Sequence, residues 1–409
     1  MGWIAWIAAA FFVTYQMAFQ SSLAAMQVDL KADLNLDTND LGLISAAFFL
    51  SYAAMQIPAG LILDRFRPAC LLPAAVIATG LCGLLLAFAE GPTLALVSRL
   101  LMGAAAAFAF PGAAIVARAR IAPAYLALAL GLTEGSIGTG AIIGQTGVTS
   151  VLSFISWRWV IALAALMSFP LAAFVWLTVR QKCAPTPICQ QEAQKAVPFS
   201  TALKQVLRRG HVWRMGLIYA LLAGVVFGLG GLWNLPLQEA FGRNQTEAAE
   251  LTSWMFLGLA IGCPLFGLLA DRTGWGRSLL LIGCLSTSAI LWPIIFVSTP
   301  WPWLLVVGCF FCLGLSVSAS GLTFPLACTG VSPHLAGTTV AVVNCLGLLG
   351  AAIFLYLPGS IIALTDSHEL NALQTALSGY FIAAVIASFI ALIVLVRAIR
   401  RRTRGLPVT

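Results

Sequence analysis

The sequence predicts an all-α integral membrane protein, with twelve transmembrane helices in two pseudo-symmetric six-helix bundles, and three observations carry that prediction. Hydrophobic residues make up 60% of the 409 residues and charged residues 9%, where a soluble domain carries roughly a quarter charged. The apolar runs are about 20 residues or longer and do not alternate, so they suit helices crossing a hydrocarbon core of about 30 Å. The pattern Gly-x-x-x-Asp-Arg occurs twice, as Gly60, Asp64, Arg65 and as Gly267, Asp271, Arg272. Each copy closes an apolar run and opens a short turn. The 207 positions between them are close to half the chain, as an internal duplication requires.

The spans are expected near 3–26, 41–63, 69–88, 93–117, 124–151, 158–179, 213–238, 248–270, 278–297, 301–327, 336–364 and 374–397. Lipid offers no partner to backbone N–H and C=O groups, so each run must satisfy its own as a helix. The first begins almost at Met1, with no basic residues ahead and no small-residue cleavage site, which argues against a removable signal peptide. Gly2 is not followed by Ser or Thr where acylation would want it. The organisation that follows is an N-terminal bundle over 1–179, a cytoplasmic linker over 180–212, a C-terminal bundle over 213–397 and a basic tail over 398–409. The linker is the long polar stretch, with Pro185, Pro187 and Pro198. Its later part, 201–209, reads either as a short amphipathic helix on the inner leaflet or as a partly ordered connector.

Charge sets the expected orientation. With both termini cytoplasmic, the inner loops and tail collect Arg65, Arg67, Arg118, Arg120, Arg180, Lys204, Arg208, Arg209, Arg272, Arg277 and the arginines from Arg397 to Arg404. The outer loops hold Lys31 and Arg243 together with most of the acids, among them Asp29, Asp33, Asp37, Asp40, Glu90, Glu239, Glu247, Asp366 and Glu369. This is the positive-inside asymmetry. It predicts a multi-pass protein of a bacterial inner membrane. The net charge of +8 then reflects topology and anionic headgroups, not a nucleic-acid partner. Cysteines carry no metal expectation: Cys309 and Cys312 have metal-like spacing but sit in an apolar run, and Cys183 and Cys189 in the linker would stay reduced in the cytoplasm.

Twelve spans, a central linker and a duplicated Gly-x-x-x-Asp-Arg turn resemble the major facilitator superfamily over essentially the whole chain. The first copy runs Gly60, Asp64, Arg65, Phe66, Arg67, with Arg67 where the family usually has Gly; the second keeps Gly274 and the terminal Arg277. In the family this loop braces the halves on the cytoplasmic side when the carrier faces outward. The resemblance therefore implies that Gly60, Asp64, Arg65, Gly267, Asp271, Arg272 and Arg277 form a cytoplasmic gate. Arg99, Gly103, Phe110 and Pro111 in span four resemble the anion:cation symporter and sugar-phosphate permease branches, although Ala106 stands where the anion symporters often have Glu. The Gly-rich span five with Gln145, followed by Trp157, Arg158 and Trp159, fits the same resemblance. Met55 to Pro58, Leu232, Trp233 and Pro236 resemble a bacterial branch that includes phagosomal nutrient importers.

Two charges fall inside spans. A charge at mid-bilayer costs at least a few kcal/mol unless it pairs or faces water. Arg99 lies about six residues, ~9 Å, from the outer end of span four. Glu134 lies about ten residues, ~15 Å, from the inner end of span five. The two are expected to approach each other across the hairpin, either as a proton-coupling switch, with Glu134 the protonation site and Arg99 its partner or the anchor for an anionic substrate group, or as a permanent structural pair. Polar stripes at helical spacing nominate a substrate cavity: Tyr15, Gln16 and Gln20 in span one, Tyr52 and Gln56 in span two, and Gln145 in span five. Tyr219, Trp233 and Asn234 in span seven, Ser316 and Ser320 in span ten and Asn344 in span eleven complete the set.

The expected function is secondary active transport of a small polar metabolite (an amino acid, nucleoside, organic anion or sugar phosphate) by alternating access, as proton-coupled import. The alternatives are a drug, metabolite or siderophore exporter working by proton antiport, and a transporter-like membrane sensor. There is no Gly-x-x-x-x-Gly-Lys nucleotide loop and no nucleophile motif, which excludes ATP-driven transport by this chain alone and argues against an enzyme. The expected partners are a small-molecule substrate and the bilayer, with no cofactor beyond the proton gradient, and the chain is expected to be monomeric.

Overall fold

A computed structural model describes residues 2–180, 199–297, 301–332, 335–365 and 370–403. Among the described residues there are eleven helices long and apolar enough to cross a membrane: Gly2–Ala25, Thr38–Leu63, Pro68–Ala87, Pro92–Arg120, Trp157–Val179, Gly210–Ala240, Gln245–Thr273, Gly276–Phe296, Trp303–Ala327, Ala336–Leu364 and Leu370–Arg400. The twelfth is span five, where the helix Pro123–Ile142 runs through a π-turn, Ile143–Gly147, into Val148–Leu152. The fold is the expected twelve-helix membrane protein. Two boundaries move. Span twelve continues as helix to Thr403, because nothing in its Arg-rich end breaks a helix, so the basic tail expected from 398 begins as helix. Span seven starts at Gly210, after a separate helix, Phe199–Leu207. That helix buries Ala202 and Val206 and exposes Lys204 and Gln205, which is the amphipathic alternative for 201–209. The rest of the linker, with Cys183 and Cys189, lies outside the described residues, as do Asp366 and Glu369.

Duplication is visible in how the helices begin and end. Span two opens on a capping box in which the Asp37 side chain accepts from the Asp40 N–H and the Asp40 side chain from the Asp37 N–H. Span eight opens on the same device, made by Asn244 and Glu247. These pairs are 207 positions apart, the same offset as the two Gly-x-x-x-Asp-Arg turns that end the two spans. A capping box satisfies N–H groups that a helix start otherwise leaves open. The ends differ: Gly274 closes span eight in the left-handed region at φ 70, a conformation that favours glycine. Its counterpart Arg67 is extended at φ -66 and leads into Pro68 at the start of span three. Arg67 replaces the usual Gly because that turn has no left-handed residue.

Breaks inside spans follow proline chemistry. Pro111, Pro170, Pro236 and Pro325 each lack an N–H for the carbonyl four residues earlier. Those carbonyls fall at or next to the break near Ala107, the break at Met167, the π-turn Leu229–Trp233 and the tight turn Ser318–Leu322. Close packing repeats as well. A Cβ on Gly103 would collide with the Phe48 carbonyl, and one on Gly314 with the Met255 carbonyl; Phe48 and Met255 are again 207 positions apart. Gly314→Val is expected to destabilise the C-terminal bundle by about 1–3 kcal/mol through overpacking. Thermal denaturation in detergent would show it as a lowered midpoint with the protein still monodisperse.

The bundles meet where span two packs on span eleven, span five on span eight, and span one on the π-turn of span seven. We call the end carrying Arg67, Arg120, Arg208, Arg272 and Arg277 the basic end, and the end carrying Asp33, Asp37, Glu90 and Glu247 the acidic end.

Candidate functional site

Toward the acidic end the bundles are sealed together by side chains bonded to backbone. Two π-turns face each other there. A π-turn carries one extra residue and interrupts the regular i→i−4 ladder, so its carbonyls can accept other donors. Gln145 Nε2 of the span-five turn donates to the Gly230 carbonyl of the span-seven turn at 2.8 Å. Gln27 Nε2 donates to the Leu232 carbonyl at 3.5 Å, and the Gln245 amide donates to the Ala25 carbonyl. Thr146 and Ser253 share a hydroxyl hydrogen bond of 2.5 Å, and Ser360 Oγ donates to Asn39 Oδ1 at 3.0 Å. Trp233, 1% exposed, donates its Nε1–H to the Leu355 carbonyl at 2.9 Å, and the Phe49 and Phe227 rings meet across the bundles at 5.0 Å. Gln145, expected in the cavity, is therefore part of this seal, whereas Trp233, also expected there, ties span seven to span eleven inside the C-terminal bundle. Asn234 is also displaced from the cavity: its Nδ2 donates to the Ala248 carbonyl and to Thr252 Oγ1, both at 2.8 Å, which ties span seven to span eight.

Arg99 does not meet Glu134. Its guanidinium is fully buried and donates to the carbonyls of Phe19 at 3.3 Å and Gln20 at 3.5 Å, with the Phe48 ring 4.9 Å away. Depth explains the separation. Gly144 of span five packs on Ala18 and Ser21 of span one, so the level of Phe19 and Gln20 is about nine residues, ~14 Å, from Glu134 along the helix. The expected pair is absent because Arg99 staples span four to span one inside the N-terminal bundle.

Glu134 is left partly accessible and, among the described residues, without a hydrogen bond or ion pair. It lies near enough to Tyr52 of span two, Tyr219 of span seven and Cys263 of span eight to interact with each electrostatically. The carboxylate thus faces both bundles. Its counterpart in the C-terminal bundle is Asn344. The two helices start at Pro123 and just after Pro333, 210 positions apart, as are Glu134 and Asn344 and also Gly140 and Gly350. Gly140 packs on the Thr14 carbonyl of span one, and Gly350 packs on the Ala220 carbonyl of span seven. Asn344 is half-buried and, like Glu134, makes no hydrogen bond among the described residues. On the acidic side of Glu134, a Cβ on Gly138 would crowd the Phe256 carbonyl of span eight at 2.8 Å. At Gly135 and Gly131 it would meet nothing within 4 Å. Span two behaves alike: Ala53 accepts from Cys345 Sγ at 3.6 Å, whereas a Cβ on Gly60 meets nothing. The space between the bundles opens toward the basic end.

The sequence profile of the Major Facilitator Superfamily matches residues 6–355. The chain belongs to that superfamily. Relatives of this major facilitator protein include the probable sulfoacetate transporter SauU of Cupriavidus necator, 27% identical over 64% of this chain and 63% of its own. The membrane sensor protein UhpC of Escherichia coli is 23% identical over 85% of this chain and 82% of its own. The chain matches 56%, 66% and 63% of the lengths of the first three curated relatives, under two thirds in each case. A bacterial homologue of the human lysosomal transporter Spinster, solved in an inward-facing, occupied conformation, superposes with a TM-score of 0.75 at 17% identity over 95% of both chains. That likeness establishes the fold.

The remaining expected residues divide within the major facilitator frame. Tyr15 donates its OH to the Ala164 carbonyl of span six at 3.0 Å and stacks on Phe19, so it is core of the N-terminal bundle. Ser316 is buried beside Gly283 of span nine, and the Ser320 carbonyl accepts from Thr323; both sit in the interior of the C-terminal bundle where span ten tightens. Gln16, Gln20 and Gln56 are buried, and each has an Oε1 without a donor. Gln20 rests against Gly231 of the span-seven π-turn. Of the gate residues, Asp271 and Arg272 are exposed at the basic end, Gly60 and Gly267 face open space, and the side chains of Asp64 and Arg65 lie outside the described residues. Arg277 turns instead into a cavity of the C-terminal bundle.

Sequence reasoning missed Cys263, Gln27, Gln245 and the pair Thr146 and Ser253. A signal existed for Cys263, which stands 207 positions after Gln56.

Proposed function

We propose that this major facilitator protein is a proton-coupled carrier of a small polar metabolite, with Glu134 as the group that takes the proton. The observation that carries the reading is a carboxylate without a partner among the described residues, in the middle of span five, facing Tyr52 and Tyr219 from opposite bundles. Closing the basic end around an ionised carboxylate would cost a few kcal/mol, because water leaves and no side chain replaces it. A proton or a cationic substrate group removes that cost. Protonation, substrate occupancy and closure are thereby linked through one residue.

The charge asymmetry supports cytoplasmic placement of the basic end and both termini in a bacterial inner membrane. On that placement the molecule is sealed outside and open inside. Alternating access would break the glutamine-to-carbonyl seal and bring the two Gly-x-x-x-Asp-Arg turns together. Import is the direction we favour, since a protonated Glu134 arriving from outside would lose its proton to the more alkaline interior.

Among the substrate classes, those presenting amine or amide N–H groups are favoured. Arg99 is buried inside the N-terminal bundle against the carbonyls of Phe19 and Gln20, away from Glu134, whereas among the described residues Glu134 and the Oε1 atoms of Gln16, Gln20 and Gln56 are acceptors without donors. For the same reason sulfoacetate, the substrate in the name of SauU, is not carried over. The test is a thermal-stability screen of the purified protein against amino acids, nucleosides, organic acids and sugar phosphates. A ligand raises the melting midpoint in proportion to occupancy. Amino compounds are expected to raise it and simple organic anions to leave it unchanged; stabilisation by anions alone would overturn this reading.

A further inference from the structure

Within the C-terminal bundle at the basic end lies a cavity of about 80 Å³ between spans seven, nine, ten and twelve, walled by His211, Arg214, Arg277 and Arg397 with Leu326 and Val394. It is separate from the space between the bundles. A cavity needs only ~10–15 Å³ of such volume to hold one water, so this one takes a group several times larger. Three arginines and a histidine converge on it, although the arginines' like charges repel at close quarters. Among the described residues no carboxylate forms an ion pair with Arg277 or Arg397. His211 is held in the wall by its Nε2, 3.0 Å from the Ala327 carbonyl.

Depth and surroundings identify the ligand chemistry. Arg277 is the second residue of span nine and His211 the second of span seven, while Arg397 lies near the end of span twelve. All three sit where a helix end reaches the headgroup layer. Around the cavity the outer surface is apolar, with Leu392, Val396 and Ile399 of span twelve and Trp213 and Leu217 of span seven exposed. Guanidinium groups match phosphate oxygens with paired N–H donors, and basic pockets between helices suit phosphorylated headgroups. The site belongs to one bundle: the position 207 residues before Arg277 is Cys70, so the duplication has not repeated it.

We propose that this cavity binds a phosphate ester anion, supplied by the headgroup of an anionic phospholipid in the leaflet at the basic end. Its occupant would join spans seven, nine and twelve and neutralise the second motif's terminal arginine.

The test uses the full chain purified in detergent, with the melting midpoint followed during titration with phosphatidylglycerol, phosphatidylcholine or inorganic phosphate. Phosphatidylglycerol is expected to raise the midpoint and phosphatidylcholine to leave it unchanged. The double variant Arg277→Gln, Arg397→Gln is expected to bind phosphatidylglycerol at least tenfold more weakly. Ala398→Trp, which fills the cavity and keeps every charge, is expected to do the same, while Arg243→Gln at the acidic end binds as wild type. Saturation by inorganic phosphate, with no further rise from the lipid, would support the phosphate site and overturn its lipid source. Equal stabilisation of wild type and both cavity variants, or none by any probe, would overturn the site itself.

Discussion

Glu134→Gln is expected to abolish accumulation of substrate driven by a pH gradient while leaving substrate exchange across proteoliposomes intact. Glutamine keeps the size of the protonated side chain and cannot release a proton. The halves can then close on the substrate, but no proton flow is tied to the cycle. With no proton tied to the cycle, the variant's substrate level should fall to that reached without a pH gradient. Exchange needs only binding and closure, and it separates lost coupling from misfolding. Undiminished pH-driven uptake by the variant would sink the coupling role of Glu134. Asn344→Ala, at the symmetric position, is expected to weaken substrate binding without uncoupling, because an amide carries no exchangeable charge.

A disulfide across the seal should stop transport outright. Thr146 and Ser253 belong to opposite bundles, and their hydroxyl oxygens are 2.5 Å apart, so Thr146→Cys with Ser253→Cys puts two thiols within the reach of a disulfide. Oxidation of the double variant is expected to reduce transport to background, with full recovery on reduction, because a carrier locked at one end cannot alternate. Neither single variant should respond to the oxidant, which controls for the native cysteines. Unimpaired transport by a fully cross-linked sample would mean that the seal is not a moving gate.

Much of the fold was legible in one dimension. Span number and the central linker follow from hydropathy, because lipid imposes a length and an apolar composition on each helix separately. The capping boxes at Asp37 and Asn244 extend the duplication seen in the two Gly-x-x-x-Asp-Arg turns, and both were readable at one offset. The site was legible residue by residue and not as a set. Glu134, Tyr52 and Tyr219 do come together, and Gln16, Gln20 and Gln56, expected as part of a cavity-lining set, are buried with Oε1 atoms that have no donor among the described residues. Tyr15, Ser316 and Asn234 share that spacing and face into their own bundles, since a polar stripe marks a face without saying which neighbour covers it.

Arg99 marks the division most clearly. Its cost in lipid, and hence its need for a partner, follows from the sequence alone, as does the presence of Glu134 as an acid inside span five; that the two do not pair is decided by packing. Which partner Arg99 takes is decided by two carbonyls of span one, some 80 positions away. A carbonyl belongs to every residue and leaves no mark on a sequence. The same holds for Gln145, which meets the backbone at Gly230 across the seal, and for Trp233, which meets it at Leu355 within the C-terminal bundle. Composition and period determined that this chain is a duplicated twelve-helix membrane protein. Packing between helices far apart in sequence decided which polar residues join the two bundles, which brace a single bundle and which are left without a partner among the described residues.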